Sequence, residues 1–156
     1  MPTKELGDIG AVHHLVVRPA KRAPVEELEE TRAIAGKGIE GDHANGGSRQ
    51  ITLLAAEEWE EAAERIGIDA APSCRRANVV LSGIDLKAAI GKELEIGEVV
   101  ISIDGYNPAC GRMNAIAPGL MSVLESKQRA GVFGRILKGG ELKVGMAARV
   151  RDEGQC

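Results

Sequence analysis

Short apolar runs broken by glycine, rather than long amphipathic helices, set the hydrophobic pattern of this chain. "GAVHHLVVRPA" (10–20) is Val-rich and predicts a first strand that stops at Pro19. In such a strand the neighbouring His13 and His14 should point to opposite faces, which gives them a surface or structural role rather than a cluster. "PVEELEETRAIAGKGIEGD" (24–42) is ambiguous, because its Glu/Leu content favours helix while Gly36, Gly38 and Gly41 demand tight turns. "RQITLL" (49–54) predicts a short strand that runs into the chain's most periodic helix, "AAEEWEEAAERIG". There Ala55, Ala56, Trp59, Ala62, Ala63 and Ile66 recur at helical spacing and Gly67 supplies the stop. "ANVVLSG" is a buried-strand pattern, and "KELEIGEVVISIDG" gives two strands about Gly97 with Val99, Ile101 and Ile103 alternating. "APGLMSVLES" places Pro118 at a helix start. "GVFGRILKGGELKVGMAARVR" has the form of a hairpin turning at Gly139-Gly140. Strands outnumber helices and are short, so the expected fold is mainly β: a compact, mostly antiparallel barrel with a few peripheral helices.

Composition narrows this picture. A length of 156 residues predicts one domain over residues 1–156, with its core at about 11–150. The chain has one Trp, one Tyr and one Phe, so aliphatic side chains must fill the core. The same scarcity, with a net charge of −3, argues against base stacking and against a polyanion partner, so no nucleic acid is expected. "MPTKELGDIGAVHHLVV" lacks the apolar centre of a signal peptide, and no run approaches the roughly 20 apolar residues of a membrane span. The expectation is a cytoplasmic protein with no membrane partner. Cys74, Cys110 and Cys156 are odd in number and show no C-x-x-C spacing, which predicts reduced thiols rather than a disulfide framework or structural zinc.

Standard catalytic signatures are missing: there is no G-x-S-x-G elbow, P-loop, H-E-x-x-H or dinucleotide fingerprint. Four segments carry chemistry instead. "GIEGDHANGGSRQ" gathers Asp42, His43, Ser48 and Arg49 in a long polar loop. "SCRRANVV" puts Arg75 and Arg76 before a strand, with Asn78 on the same side as Arg76; the pair suits a phosphate or the edge of a heterocycle, or else is a solvated strand cap. "NPACGRM" presents Cys110 in a loop broken by Pro108 and Gly111. A cation such as Arg112 and unpaired backbone N–H groups lower a thiol's pKa, which makes Cys110 a candidate soft metal ligand or acceptor of a labile sulfur; the alternative is a gap-filling side chain. Cys74 is its rival beside two arginines, and Arg135, on a terminal strand, faces either the site or solvent.

Taken in order, "GKGIEGDHANGGSRQITLL", "RRANVVLSGIDL", "LEIGEVVISI", "NPACGRM…APGLMSVLE" and "GVFGRILKGGELKVGM" resemble the MOSC family, named after the C-terminal domain of molybdenum-cofactor sulfurase. The resemblance runs from about "HHLVV" to "ARV" and is that of a small, stand-alone, bacterial-type member. It implies a pyruvate-kinase-like β-barrel and a role in molybdenum-cofactor or sulfur chemistry. By position, Cys110 matches the family cysteine, proposed to carry a persulfide sulfur or to ligate molybdenum. Arg76 and Asn78 match the Arg-x-Asn pair that contacts the cofactor's phosphate, and Asp42 matches the acidic residue of the glycine-rich segment. Arg75, His43, Arg49 and Arg112 complete the expected cofactor-binding set.

Two departures stand out: Ala109 separates Pro108 from Cys110, and His43 stands where many relatives have Arg. No pyridoxal phosphate is expected on this chain, since a fused desulfurase domain is missing. Two roles are implied: a molybdenum-cofactor-dependent oxidoreductase that reduces N-hydroxylated compounds with an electron-transfer partner, or a non-catalytic sulfur carrier. The carrier would load a persulfide on Cys110 from a cysteine desulfurase, for metal–sulfur centre assembly.

Overall fold

The glycine-punctuated strands close into a barrel in the computed structural model, which describes residues 7–20, 24–43, 46–75, 77–108 and 113–151. Seven strands form the ring: β1 (Ile9–Val17), β5 (Ile51–Ala55), β6 (Val79–Ser82), β7 (Glu93–Ile96), β8 (Val99–Tyr106), β9 (Val132–Lys138) and β11 (Ala147–Arg151). Around the barrel their order is β1-β6-β5-β9-β8-β7-β11, and the β11–β1 pairing closes it. Every pairing in the ring is antiparallel except β5–β6, whose two strands are linked through helix α1 (Ala56–Arg65). Closure leaves the ring without an open edge.

The interior is the aliphatic stack that the composition demanded. Ile51 and Leu53, Val79 and Leu81, Leu94 and Ile96, and Val99, Ile101 and Ile103 all point inward at a spacing of two. Each contributes about 2 kcal/mol by leaving water. In β1 the alternation breaks: Val12 is inward, but the next inward residue is Leu15 rather than His14. A bulge between Val12 and His14 in the β1–β6 register accounts for the slip. It also corrects the expectation for the histidines, whose rings stack at 4.8 Å near the surface instead of facing opposite ways.

The ambiguous Glu/Leu segment is strand, not helix. It supplies β2 (Glu26–Leu28), which pairs with β1, then β3 (Glu30–Ile34) and β4 (Gly38–Ile39). The C-terminal hairpin is also corrected. β10 (Gly140–Lys143) pairs with β3 in a separate three-stranded sheet, not with β9. A side chain at Gly139 would meet the Ala33 carbonyl at 2.5 Å, so this glycine lets the link from β9 to β10 run close against β3. The small sheet adds Ala33, Ile39 and Leu142 to the barrel's apolar interior.

A second core lies on the outer wall. Leu54 and Val80, the outward neighbours of interior residues, pack against Ala56, Trp59 and Ala62 of α1. They also meet Met113 of α2 (Met113–Ile116) and Leu120 and Leu124 of α3 (Leu120–Glu125). Trp59 is 1% exposed, and its indole N–H donates to the Ala70 carbonyl at 2.8 Å. Gly67, at φ 68°, ends α1 where the sequence placed the stop. No helix among the described residues is long and apolar enough to cross a membrane.

Candidate functional site

The segment leading to the cysteine loop leaves β8 at Tyr106 and is anchored before it reaches Ala109. The Asn107 N–H donates to the Gly131 carbonyl at 2.9 Å. Arg75 ends a 3-10 turn, Pro72–Arg75. Its Nε donates to the Ala130 carbonyl at 3.0 Å, and its Nη2 donates to the carbonyls of Asn107 at 3.1 Å and Pro108 at 3.3 Å. The Ala130 N–H in turn donates to the Tyr106 hydroxyl at 3.2 Å, and that hydroxyl donates to Glu125. Burial, and next the bond to Glu125, push the Tyr106 phenol up to about 12. Gly131 sits at φ 106°, and a Cβ there would lie 2.4 Å from the Leu53 carbonyl, so only glycine lets this stretch run so close to β5.

Arg49 approaches the same residue from the other side. Its Nη1 donates to Asn107 Oδ1 at 3.2 Å, while its guanidinium lies over the Phe133 ring, 4.8 Å from the centroid. Two of the arginines singled out in the sequence, 26 positions apart, therefore meet at Asn107. Asn78 is buried, and its side chain is used inside the wall. Its Oδ1 accepts from the Thr52 N–H at 3.1 Å and the Thr52 hydroxyl at 3.2 Å; its Nδ2 donates to the Val16 carbonyl at 3.2 Å. The amide thus joins β1, β5 and β6.

Asp42 and His43 gather elsewhere on the rim, at Arg18 just past the end of β1. Asp42 accepts the Arg18 N–H at 2.8 Å, the His43 N–H donates to the Arg18 carbonyl at 2.8 Å, and the Arg18 guanidinium lies 3.3 Å from His43 Nε2. This is a clasp between the glycine-rich segment and β1. Arg135 faces solvent, paired with Asp104 at 2.8 Å. Burial raises the Asp104 carboxyl, but the bonds from Arg135 and Ser102 outweigh it and hold the group below the usual carboxylate range. Ser48 is exposed.

Cys110, Arg112 and Arg76 lie outside the described residues, and so does the side chain of Cys74. Among the described residues no three His, Cys, Asp or Glu side chains gather as a metal site. What the described residues provide is a rigid root for the cysteine loop, with two guanidinium groups on it. Cationic surroundings of this kind favour a thiolate over a thiol and attract oxyanions. Tyr106, Asn107, Ala130 and Thr52 were not singled out by sequence reasoning. Their roles come from long-range contacts, and only the isolated tyrosine beside the "NPAC" run offered any signal.

Comparison with known proteins agrees with this architecture. The YuaD protein of Bacillus subtilis superposes with a TM-score of 0.76 at 20% identity, over 92% of this chain and 96% of that one. YiiM of Escherichia coli gives 0.69 at 15% identity, over 94% and 72%. YiiM of Geobacillus stearothermophilus gives 0.66 at 14%, over 96% and 76%. At these identities the likeness shows the fold. The curated proteins give no match. The MOSC domain model matches residues 40–149, which takes in the arginine turn, the cysteine loop and the second core. With most of its length matched in this way, the chain belongs to the MOSC domain family.

Proposed function

We propose that this MOSC protein works through Cys110, held as a thiolate, in molybdenum-cofactor chemistry. The observation that carries the reading is the convergence of Arg49 and Arg75 on Asn107, at the root of the loop that bears the thiol. A soft thiolate beside guanidinium groups matches a ligand that offers a thiophilic metal at one end and a phosphate at the other. The donor set fits such a group in part. Arg49 is exposed and its planar fork suits an oxyanion, with Arg76 as the second cation; Arg75 holds carbonyls and Asn78 holds strands. When bound, the cofactor would supply the two-electron redox chemistry. The chain's own part is to present the thiolate, hold the phosphate end, and fix the loop between them.

The commitment of Asn78 to the barrel wall favours a second reading, because it removes one of the two family groups expected on the phosphate. In that reading the Cys110 thiolate attacks the outer sulfur of a desulfurase persulfide. The donor leaves as a thiolate and the sulfur stays on Cys110 without net oxidation. Either chemistry requires the reduced thiols of a compartment such as the cytoplasm.

Protein purified without oxygen, as wild type and as Cys110→Ser, tests both. Molybdenum and pterin that copurify with the wild type and are lost in the variant support the cofactor reading. Cyanide-labile sulfur with the same dependence on Cys110 supports the carrier. Neither signal, or signals unchanged by Cys110→Ser, would end both.

A further inference from the structure

We infer that Phe133 is a positioning residue that presets the Arg49 guanidinium for an oxyanion, and that Gly105 is the seat that lets its ring do so. The inference deepens, and rests on, the reading of Arg49 as a cation for the phosphate end of a ligand. It starts from an oddity of composition. Phe133 is the chain's one phenylalanine, yet it belongs to neither apolar core. It stands half-buried on the outer face of β9, between the buried Val132 and Gly134.

The neighbouring strand explains where the ring lies. β8 has a bulge between Ile103 and Gly105, which brings Gly105 opposite Phe133. A Cβ at Gly105 would stand 2.9 Å from the ring, so the ring edge takes the space a side chain there would need. An aromatic ring laid over a cross-strand glycine covers backbone that would otherwise meet water. Over that ring lies the Arg49 guanidinium, 4.8 Å from the centroid.

Two more restraints act on Arg49. The next residue, Gln50, is buried; its N–H donates to the Gly134 carbonyl at 3.0 Å, and its side-chain oxygen accepts the Ile136 N–H at 3.0 Å. Arg49 Nη1 donates to Asn107 Oδ1 at 3.2 Å. Root, plane and one edge of the guanidinium are thus set by Gln50, Phe133 and Asn107. Among the described residues no carboxylate pairs with Arg49, whereas Arg135, two residues beyond Phe133, is bonded to Asp104. A flat, exposed guanidinium whose charge no carboxylate offsets suits a phosphate oxyanion. Because its side chain is already ordered, it loses less freedom when the anion arrives.

The test is a titration of the intact protein with inorganic phosphate at constant ionic strength. It follows the Arg49 Nε–H signal by 15N NMR, assigned by its loss in Arg49→Gln. In wild type the signal should shift along a saturable curve. Phe133→Leu keeps an apolar cover on Gly105 but removes the ring face. Its dissociation constant should rise about two- to fivefold, the worth of an exposed cation–π contact. Phe133→Tyr keeps the ring face and should bind as wild type does, a rescue that a role in folding alone would not produce.

An unmoved Arg49 signal in wild type, or an unchanged constant in Phe133→Leu, overturns the inference. So does a tyrosine variant as weak as the leucine one, which would assign the loss to something other than the ring face. If Phe133→Leu does not fold, Gly105→Ala takes its place: the added Cβ must displace the ring, and an unchanged constant there overturns the inference instead. The titration needs neither the Cys110 thiol nor a bound cofactor, so its failure and the failure of the Cys110→Ser test are separate results.

Discussion

Asn78→Ala separates a structural amide from a ligand anchor, and its cost follows from the contacts. The substitution strips the Thr52 N–H and the Val16 carbonyl of partners at 3.1 and 3.2 Å. A buried polar group left without its partner costs about 1–3 kcal/mol. Thr52 is half-buried, so its share belongs at the low end, and the total comes to about 2–4 kcal/mol. Trp59 is the chain's one tryptophan and is 1% exposed, so its fluorescence reports unfolding in urea. With a slope of about 1.5–2 kcal/mol/M for a chain of this size, the midpoint should fall by about 1–2.7 M. Asn78→Asp should behave similarly, because it keeps the acceptor for Thr52 but turns a second oxygen toward the Val16 carbonyl. A loss below about 0.5 kcal/mol in both variants, with the slope unchanged, would refute the claim that the amide holds the wall together.

Arg129→Met should cost about 3 kcal/mol by the same urea assay, the low end for a broken buried ion pair because Glu61 keeps access to water; an unchanged midpoint would count against that pair. Tyr106 is the only tyrosine, so the phenolate absorbance in alkali should show a native midpoint of about 12, returning to about 10 in denaturant. Since the folded value is the higher one, the stabilising share of the neutral phenol is complete below about pH 10 and lost between there and about pH 12. Glu125→Gln should lower the native midpoint, and a native midpoint of about 10 in wild type would contradict the half-buried, Glu125-bonded placement of the phenol.

Local patterns were legible and distant pairings were not. The repeat of Trp59, Ala62 and Ala63 gave α1 to its glycine stop, and the turn at Gly97 gave the β7–β8 hairpin, where Ile96 pairs with Val99. Both signals lie within one stretch of chain. By contrast, "EELEETRAI" has the composition of a helix and becomes strand because β1 and β10 offer edges that its own residues cannot announce. The Gly139-Gly140 pair looked like a hairpin for the complementary reason: the partner of β10 lies more than a hundred residues earlier. At the site, Arg49 and Arg75 were named as chemistry, but their meeting at Asn107 depends on the barrel's closure. The bonds of Asn78 to Thr52 and Val16 were hidden in the sequence for the same cause.

These contacts imply a division of labour along the two strands that lead out of the site. Arg49 lies three residues before Thr52, and Arg75 three residues before Asn78. Thr52 and Asn78 bond to each other from adjacent parallel strands, β5 and β6, where Leu53 pairs with Val79. The lock between them sets how far apart the two arginines begin, and that spacing lets one reach the side chain of Asn107 while the other reaches its carbonyl. The barrel interior is filled with aliphatic side chains and leaves no room for chemistry, so function has to be built on the wall and rim. On this account a buried amide bonded inside the wall governs the site, because it fixes the distance between the two cations that meet at Asn107. An Asn78 variant that remains folded would disturb the site by letting Arg49 and Arg75 drift out of register on Asn107.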